Sequence, residues 1–300
     1  MIEFHACLEA NTLAIRDSLE NGCYEWGRYR SFWVIDPKLR LIESAPFRDR
    51  VVHQAMAEVM EPLFDPTFYH HSYACRSGRG THRALHTLHR WVRKNPDYYF
   101  LQMDVAKYFP SIDRSILLGL IESRIGDPRF LHLTRSLLAS SPSPVGIPIG
   151  NLTSQVFANL YLDHLDQFIK RSLRVKWYLR YMDDIVLLHQ DRSQLQAWRA
   201  EIERFAREKL ALRFHPHKID FNRVSAGITF VGYRTFPRRI RIKNKSLRRF
   251  RARVRENIPL DQKVRRLLSY DAHLRHAHGH IGIMHDLRKH AFSQEGFMTL

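Results

Sequence analysis

Cysteine is scarce in this sequence. Cys7, Cys23 and Cys75 are odd in number, far apart and in no metal-ligand spacing, which excludes a disulfide framework and a zinc site and fits a reducing compartment. Acid is short as well: 30 Asp and Glu face 48 Lys and Arg, for a formal net charge of +18. An excess of that kind is expected of proteins that neutralise phosphates, so nucleic acid is the leading partner; a basic surface kept for solubility is the plainer alternative and usually mixes in more acid. Long apolar runs are missing too. None approaches the roughly 18 residues that span a bilayer, and neither a signal-peptide core nor an anchoring amphipathic helix or lipidation motif stands out. A cytoplasmic protein with no membrane partner is expected.

What is present describes a folded chain. Hydrophobic residues make up 44% and aromatics 12% of 300 residues, enough for a substantial core in one large domain or two to three closely packed lobes. No repeat, flexible linker or low-complexity tract interrupts it. Histidine is abundant at 18, but the stretch from His273 to His290 has no accompanying Cys and no zinc register, so solvated or phosphate-facing imidazoles are expected there.

Helical periodicity opens the chain at Leu8, Thr12, Ile15 and Leu19, and residues 24–34 alternate weakly like a strand that ends at Asp36-Pro37. Val51, Val52, Ala55, Met56 and Val59 predict a helix over 48–60 that Glu61-Pro62 closes. A loop rich in Gly, Arg and Ser follows, and Leu85, Leu88, Trp91 and Val92 then predict an amphipathic helix. Residues 98–105 read as a strand that delivers Asp104 near its end. Pro142, Pro144, Gly146, Pro148 and Gly150 make a rigid loop that feeds a helix marked by Phe157, Leu160, Tyr161, Leu165 and Phe168. Two apolar runs, 175–182 and 185–189, flank Asp183-Asp184 and predict a hairpin with both acids at its tip. A long polar helix over 193–210, short strand-like pieces at Ile219 and over 228–233, and a basic, mostly helical segment over 238–300 complete the reading.

Adjacent carboxylates on an apolar hairpin repel one another, so something must offset their charge. Divalent cations do this, and hard carboxylate oxygens suit magnesium, with manganese as a substitute. If the strand of Asp104 neighbours the hairpin, three carboxylates converge and can hold two ions about 4 Å apart, the arrangement of phosphoryl or nucleotidyl transfer. An exposed Asp-Asp turn of an ordinary hairpin is the plain alternative.

The context favours the chemistry. Tyr181-Met182-Asp183-Asp184 resembles the catalytic YxDD hairpin of reverse transcriptases, and residues 100–112, FLQMDVAKYFPSI, resemble their first catalytic strand. Arg48-Asp49-Arg50-Val51-Val52, SYACRSGRGTH over 72–82, Gly150-Asn151-Leu152-Thr153-Ser154-Gln155, Lys218 and GITFVGY over 227–233 follow in the family's order, so the resemblance spans roughly residues 30 to 280. It implies an α+β right-hand polymerase of fingers, palm and thumb, with a palm of antiparallel sheet backed by helices and a helical thumb. The implied divisions are fingers 1–97, palm 98–113, a connection over 114–150, palm 151–235 and a basic thumb 236–300. It also implies roles. Asp104, Asp183 and Asp184 are the catalytic acids, and with the Val105 carbonyl they hold two Mg2+ ions. Arg76, Arg79, Phe109, Ile149, Gly150 and Gln155 meet the incoming dNTP: the arginines grip its triphosphate, Phe109 excludes a ribose 2′-hydroxyl, and Gly150 permits close backbone approach. Tyr181, Met182, Lys218, Gly232, Arg248 and Arg249 meet the template RNA and the cDNA primer strand.

Within the superfamily, Ile149 stands where Gln or Arg commonly precedes the glycine, and Ser154-Gln155 closes the motif where Ser-Pro is commoner. These features, SYACRSGRGTH and SYDAHLRHA over 269–277 most resemble reverse transcriptases of diversity-generating retroelements. That resemblance implies a bacterial, archaeal or phage source, error-prone copying of a template-repeat RNA, and an oligomeric, basic accessory variability protein as partner. Retron, group II intron-like and abortive-infection enzymes remain alternatives, as do an inert RNA-binding relative and a metal-dependent nuclease. The stretch after Tyr233 is expected to suffice for a helical thumb and not for an endonuclease or RNase H region.

Overall fold

The computed structural model describes residues 2–35 and 39–292. Two N-terminal helices, α1 (Ile2–Ala6) and α2 (Leu8–Glu20), precede a hairpin of β1 (Arg30–Ile35) and β2 (Leu39–Ser44). Helices α3 (Phe47–Phe64) and α4 (Thr81–Lys94) lead into β3 (Tyr99–Asp104), after which come α5 (Tyr108–Ser111), α6 (Arg114–Glu122), α7 (Pro128–Ser140) and α8 (Leu152–Gln167). The hairpin β4 (Trp177–Tyr181) and β5 (Asp184–His189) follows, then α9 (Arg192–Leu210), β6 (Asp220–Arg223), β7 (Ile228–Phe230), β8 (Tyr233–Thr235) and β9 (Ile240–Ile242). Helices α10 (Asn244–Val254), α11 (Leu260–Leu274) and α12 (His280–Phe292) close the chain. None of the described helices is long and apolar enough to cross a membrane.

A four-stranded antiparallel sheet in the order β4-β5-β3-β6 positions the acids. Successive side chains of a strand point to opposite faces, and β3 and β5 are apolar on both. Leu101 and Met103 of β3 join Ile185 and Leu187 of β5 in a core with α3 and α8, through residues such as Met56, Met60, Phe157 and Leu165. On the other face Phe100, Val186 and Leu188 pack against Leu88, Trp91 and Val92 of α4 and against Phe230. Asp113, Asp127 and Asp191 cap α6, α7 and α9 by accepting from backbone N–H groups of the first turn.

Several sequence expectations need correction. The helix predicted to stop at Pro62 runs on to Phe64 with Pro62 inside it. The ring removes one backbone donor, but Met60 and Phe64 are fully buried and the ladder resumes where the Asp65 N–H meets the Glu61 carbonyl. The aromatic stretch becomes a strand only from Arg30 onward, paired with a second strand, β2, that periodicity did not reveal; its predicted end at Asp36-Pro37 lies outside the described residues. Helices α6 and α7 occupy a stretch to which no element was assigned. Within the basic segment, β9 completes a sheet in the order β7-β8-β9.

The C-terminal helices form a core of their own around Ile242, Phe250, Leu267, Tyr270, Leu274 and Leu287, which also takes in Leu85 of α4. Of the histidines expected to be solvated, His273 and His276 are half-buried at this junction, whereas His278 and His285 are exposed. The rings of His82 and His276 stack with centroids 3.7 Å apart, and His86 Nε2 lies 3.1 Å from His276 Nδ1. Burial, followed by neighbouring imidazole and guanidinium groups, lowers the pKa of His82, His273 and His276.

Candidate active site

The antiparallel register sets Asp104, the last residue of β3, directly opposite Asp184, the first of β5. Cross-strand partners share a face, so Asp104 and Asp184 project to the same side, together with Gln102 and its partner Val186. Only Met182 and Asp183 form the hairpin turn, because Asp184 already pairs with Tyr181. The expectation of two acids at the tip is therefore corrected: one caps the turn and the other belongs to the strand. Met182 has φ of +53°, which a non-glycine residue adopts only when its surroundings hold it there. Those surroundings are visible. The Val105 N–H donates to the Asp183 carbonyl at 3.1 Å, and Arg180 Nη1 donates to the Met182 carbonyl at 3.1 Å.

Burial and the neighbouring Asp104 raise the Asp183 pKa, with Lys218 and Arg40 opposing. Asp184 is pushed up to about 8, mainly by burial, although Gln102 Nε2 donates to both of its oxygens at 2.8 and 2.9 Å. The same Gln102 nitrogen donates to the Thr229 carbonyl at 3.0 Å, which anchors the pair to β7. Lys218 Nζ forms an ion pair with Asp104.

Among the described residues no three His, Cys, Asp or Glu side chains are set to hold one metal ion. The donor chemistry fits a hard divalent cation nonetheless. Asp104 and Asp183 are like-charged carboxylates within electrostatic reach of each other, and such a pair requires a compensating positive charge. The bridge between Val105 and Phe214 uses the carbonyls of Asp104 and Arg213. Asp184 is held by Gln102 behind that pair.

The residues expected around the nucleotide fall into two groups. Gly146 and Ile147 tie the loop over 142–150 to α5 through N–H bonds to the carbonyls of Ile112 and Phe109, and a side chain at Gly146 would meet Pro110 Cα at 2.6 Å. This fixes the backbone of the partly exposed Phe109. Gly150, with φ of +127°, lies under β2: a Cβ there would sit 3.5 Å from the Glu43 carbonyl and Ile42, while the Ile149 carbonyl accepts from the Glu43 N–H at 3.3 Å. Gln155 is partly exposed on the first turn of α8. Asn151 makes no capping bond and donates to the Tyr29 hydroxyl at 3.0 Å.

Arg76 departs from expectation. Its side chain is 3% exposed, and its donors are consumed by the Asp65 carboxylate and by the carbonyls of Asp65, Tyr69 and Ser72. It knits the loop together instead of facing a ligand. Arg79 remains partly exposed beside His70.

Of the residues expected along the primer, Tyr181 shares a hydrogen bond of 3.0 Å with Thr81 Oγ1, and Met182 is partly exposed. Lys218 is engaged with Asp104. Gly232, at φ of +91°, faces the His273 ring, so it belongs to the junction with α11. Arg248 is exposed on α10 and Arg249 half-buried.

Two features escaped sequence reasoning. Arg40 on β2 acts electrostatically on Asp183; a basic residue on the strand above the glycine loop was the available signal. A pocket of about 510 Å³ lined by Arg28, Arg30, Phe32 and Arg50 opens beside the same hairpin.

The α+β architecture is that of a right-hand polymerase with fingers, palm and thumb. Telomerase from Candida albicans in complex with a fragment of telomeric RNA has the same fold, at a TM-score of 0.58 and 11% identity over 92% of this chain and 56% of that one. Protein YkfC of Escherichia coli (strain K12) is 26% identical over 280 residues, covering 76% of this chain and 71% of its own. The group II intron-encoded protein LtrA of Lactococcus lactis subsp. cremoris is 28% identical over 166 residues, which is 52% of this chain but only 27% of LtrA. A family model described as reverse transcriptase (RNA-dependent DNA polymerase) matches residues 36–235. Matched over two thirds of its length, the chain belongs to the reverse transcriptase family.

Proposed function

We propose that this protein is an active RNA-directed DNA polymerase that extends a cDNA primer on an RNA template. One observation carries the reading: Asp104 and Asp184 are paired across β3 and β5, with Asp183 held beside them by its own backbone. Asp104, Asp183 and the Val105 carbonyl would hold two Mg2+ ions, and Asp184 would support them from the strand. Bound magnesium supplies activation of the attacking primer oxygen and neutralisation of the leaving pyrophosphate. The chain's residues do the rest. Lys218 offsets the charge on Asp104. Arg40 and Arg79 face the triphosphate as guanidinium forks suited to phosphate, a task that Arg76 gives up to its own loop. Phe109 sits under the sugar, with Ile149, Gly150 and Gln155 lining the base side.

We assign residues 1–97 to the fingers, 98–113 and 151–235 to the palm, 114–150 to their connection and 236–300 to the thumb. Tyr181 and Met182 would lie along the primer strand, and exposed arginines such as Arg248 along the backbone of the hybrid, which is held by shape. The subtype we favour is the diversity-generating one, on the strength of Ile149-Gly150 and Ser154-Gln155. An intron-type enzyme is the second reading, favoured by the likeness to LtrA.

Primer extension on an RNA template with magnesium tests the activity. Extension by the wild type and none by Asp183→Asn is expected; no extension by either protein would indicate an inert binding relative. Frequent misincorporation opposite template adenines, reduced in Ile149→Gln, would support the diversity-generating subtype, and unchanged error rates would reject the role given to Ile149.

A further inference from the structure

We infer that Arg180 is a positioning residue for nucleotidyl transfer: its buried guanidinium fixes the Met182 carbonyl and so sets how the catalytic turn presents Asp183. The inference rests on the polymerase reading and adds a residue to it.

Arg180 and Asp166 are both 0% exposed. Arg180 Nε lies 2.9 Å from each Asp166 oxygen, and Nη2 donates to Oδ2 at 2.7 Å. The Tyr178 hydroxyl donates to Asp166 Oδ1 at 2.5 Å, so the carboxylate is well satisfied. One arm of the guanidinium is left over. Its Nη1 reaches the Met182 carbonyl at 3.1 Å and Asn159 Oδ1 at 3.3 Å. Asn159 in turn donates to the Ala74 carbonyl at 2.9 Å. The Arg180 backbone is pinned as well: its N–H donates to His71 and its carbonyl accepts from Tyr73, both at 3.0 Å. Helix α8 and the turn therefore meet at the Arg180 guanidinium, and the loop over 69–80 meets its backbone.

Stability alone does not account for this arrangement. Burying an ion pair costs desolvation that the attraction seldom repays, and an apolar pair of similar volume is often as stable or more so. An apolar pair has no donor for the Met182 carbonyl, however, and Lys cannot span two acceptors on different elements as a fork can. The turn needs that donor. Met182 holds a left-handed backbone without being glycine, and the next carbonyl, that of Asp183, is already committed to Val105. With both carbonyls held, the backbone that carries the Asp183 carboxylate is fixed in place.

The test replaces the whole pair, Arg180→Met with Asp166→Leu, and uses Arg180→Lys as a second variant that keeps the charge beside Asp166. Three readouts are taken: thermal unfolding, steady-state primer extension, and Mn2+ binding followed by electron paramagnetic resonance. The double variant, in which the Tyr178 hydroxyl loses its acceptor, is expected to remain folded and to unfold a few degrees below wild type. Its kcat should fall about 30-fold with KM for dNTP little changed, since small misplacements of reacting groups cost up to about 100-fold, and its Mn2+ affinity should fall about tenfold, on the scale seen when groups that orient metal ligands are lost. Arg180→Lys should show the same losses. Wild-type kcat and Mn2+ affinity in either folded variant would overturn the inference, as would activity losses that only track the loss of stability. If the wild type extends no primer, the polymerase reading fails separately, and equal Mn2+ affinity in wild type and Arg180→Lys would still refute the positioning role.

Discussion

Two antiparallel hairpins in this chain have opposite environments. In β4–β5 the residues between the ends are buried on both faces, including Tyr178, Leu179, Ile185, Leu187 and the Arg180 guanidinium. In β1–β2 Trp33, Ile35 and Leu39 are 63%, 76% and 59% exposed, and Phe32, Val34 and Leu41 are exposed as well. An isolated two-stranded hairpin is marginal in water. Hairpin β1–β2 is therefore held mainly at its base, where Glu43 meets Ile149, whereas β4–β5 is braced by β3, α4 and α8. The comparison separates a densely packed support for the acids from an exposed hairpin: the costly charges sit among buried residues, and Arg40 rides on the exposed pair of strands.

The largest expected effect lies in the braced hairpin. Asp183→Asn should lower primer extension by about 10³-fold, the scale of one preorganised charge-stabilising group, while thermal unfolding shows a stability equal to or above wild type because a repelled carboxylate is gone. A smaller change in the same hairpin, Leu187→Ala, should cost about 3 kcal/mol in urea unfolding, because it opens a cavity in a closed core. Acid should also discriminate between the two hairpins. His53 is held down to about 4, chiefly by burial, so the unfolded chain takes up the proton first. The His53 contribution to stability is full above about pH 6.5 and falls toward pH 4, by about 2 kcal/mol at pH 5, whereas the buried Asp184 carboxyl, raised to about 8, acts in the opposite sense and adds stability as pH falls below that value. His71, also lowered to about 4 by burial and cationic neighbours, should act in the same direction as His53. No histidine lies in β1 or β2, so a series of urea midpoints from pH 8 to 5 should be unchanged in slope by substitutions there that spare Glu43, whose pKa burial raises. The smallest effect is expected for Ile35→Ser, within about 0.5 kcal/mol, as for surface positions generally. A large loss from Ile35→Ser, or none from Leu187→Ala, would collapse the distinction.

The legible parts of the chain were those written in local spacing. Alternation around Asp104 and around the Asp183-Asp184 pair marked the right strands, and the proline-glycine loop before α8 was readable because those residues exclude helix. Pro62 misled because tertiary burial of Phe64 outweighs one missing hydrogen bond. Strands β2 and β9 each pair with the strand just before them in the chain, β1 and β8, but β2 buries none of its residues fully and β9 is only three residues long, so apolar spacing marks neither. Arg76 and Arg180 show the same limit from the other side. Both are arginines near the three acids, and only the placement of Asp65 and Asp166, 11 and 14 residues away in sequence, reveals that their charges are spent inside the protein.

Leu85 has a consequence for how the molecule can be divided. It is fully buried and lies on α4, yet its neighbours are Tyr233, Ile240 and residues of the C-terminal helices. One leucine is thus shared property across a boundary that chain order would place more than a hundred residues downstream. Cutting the gene after Thr235 would strip the cover from this side chain and from the stacked imidazole of His82, leaving a sticky scar on the remaining body. The thumb is a keystone of the folded whole, not a removable appendage.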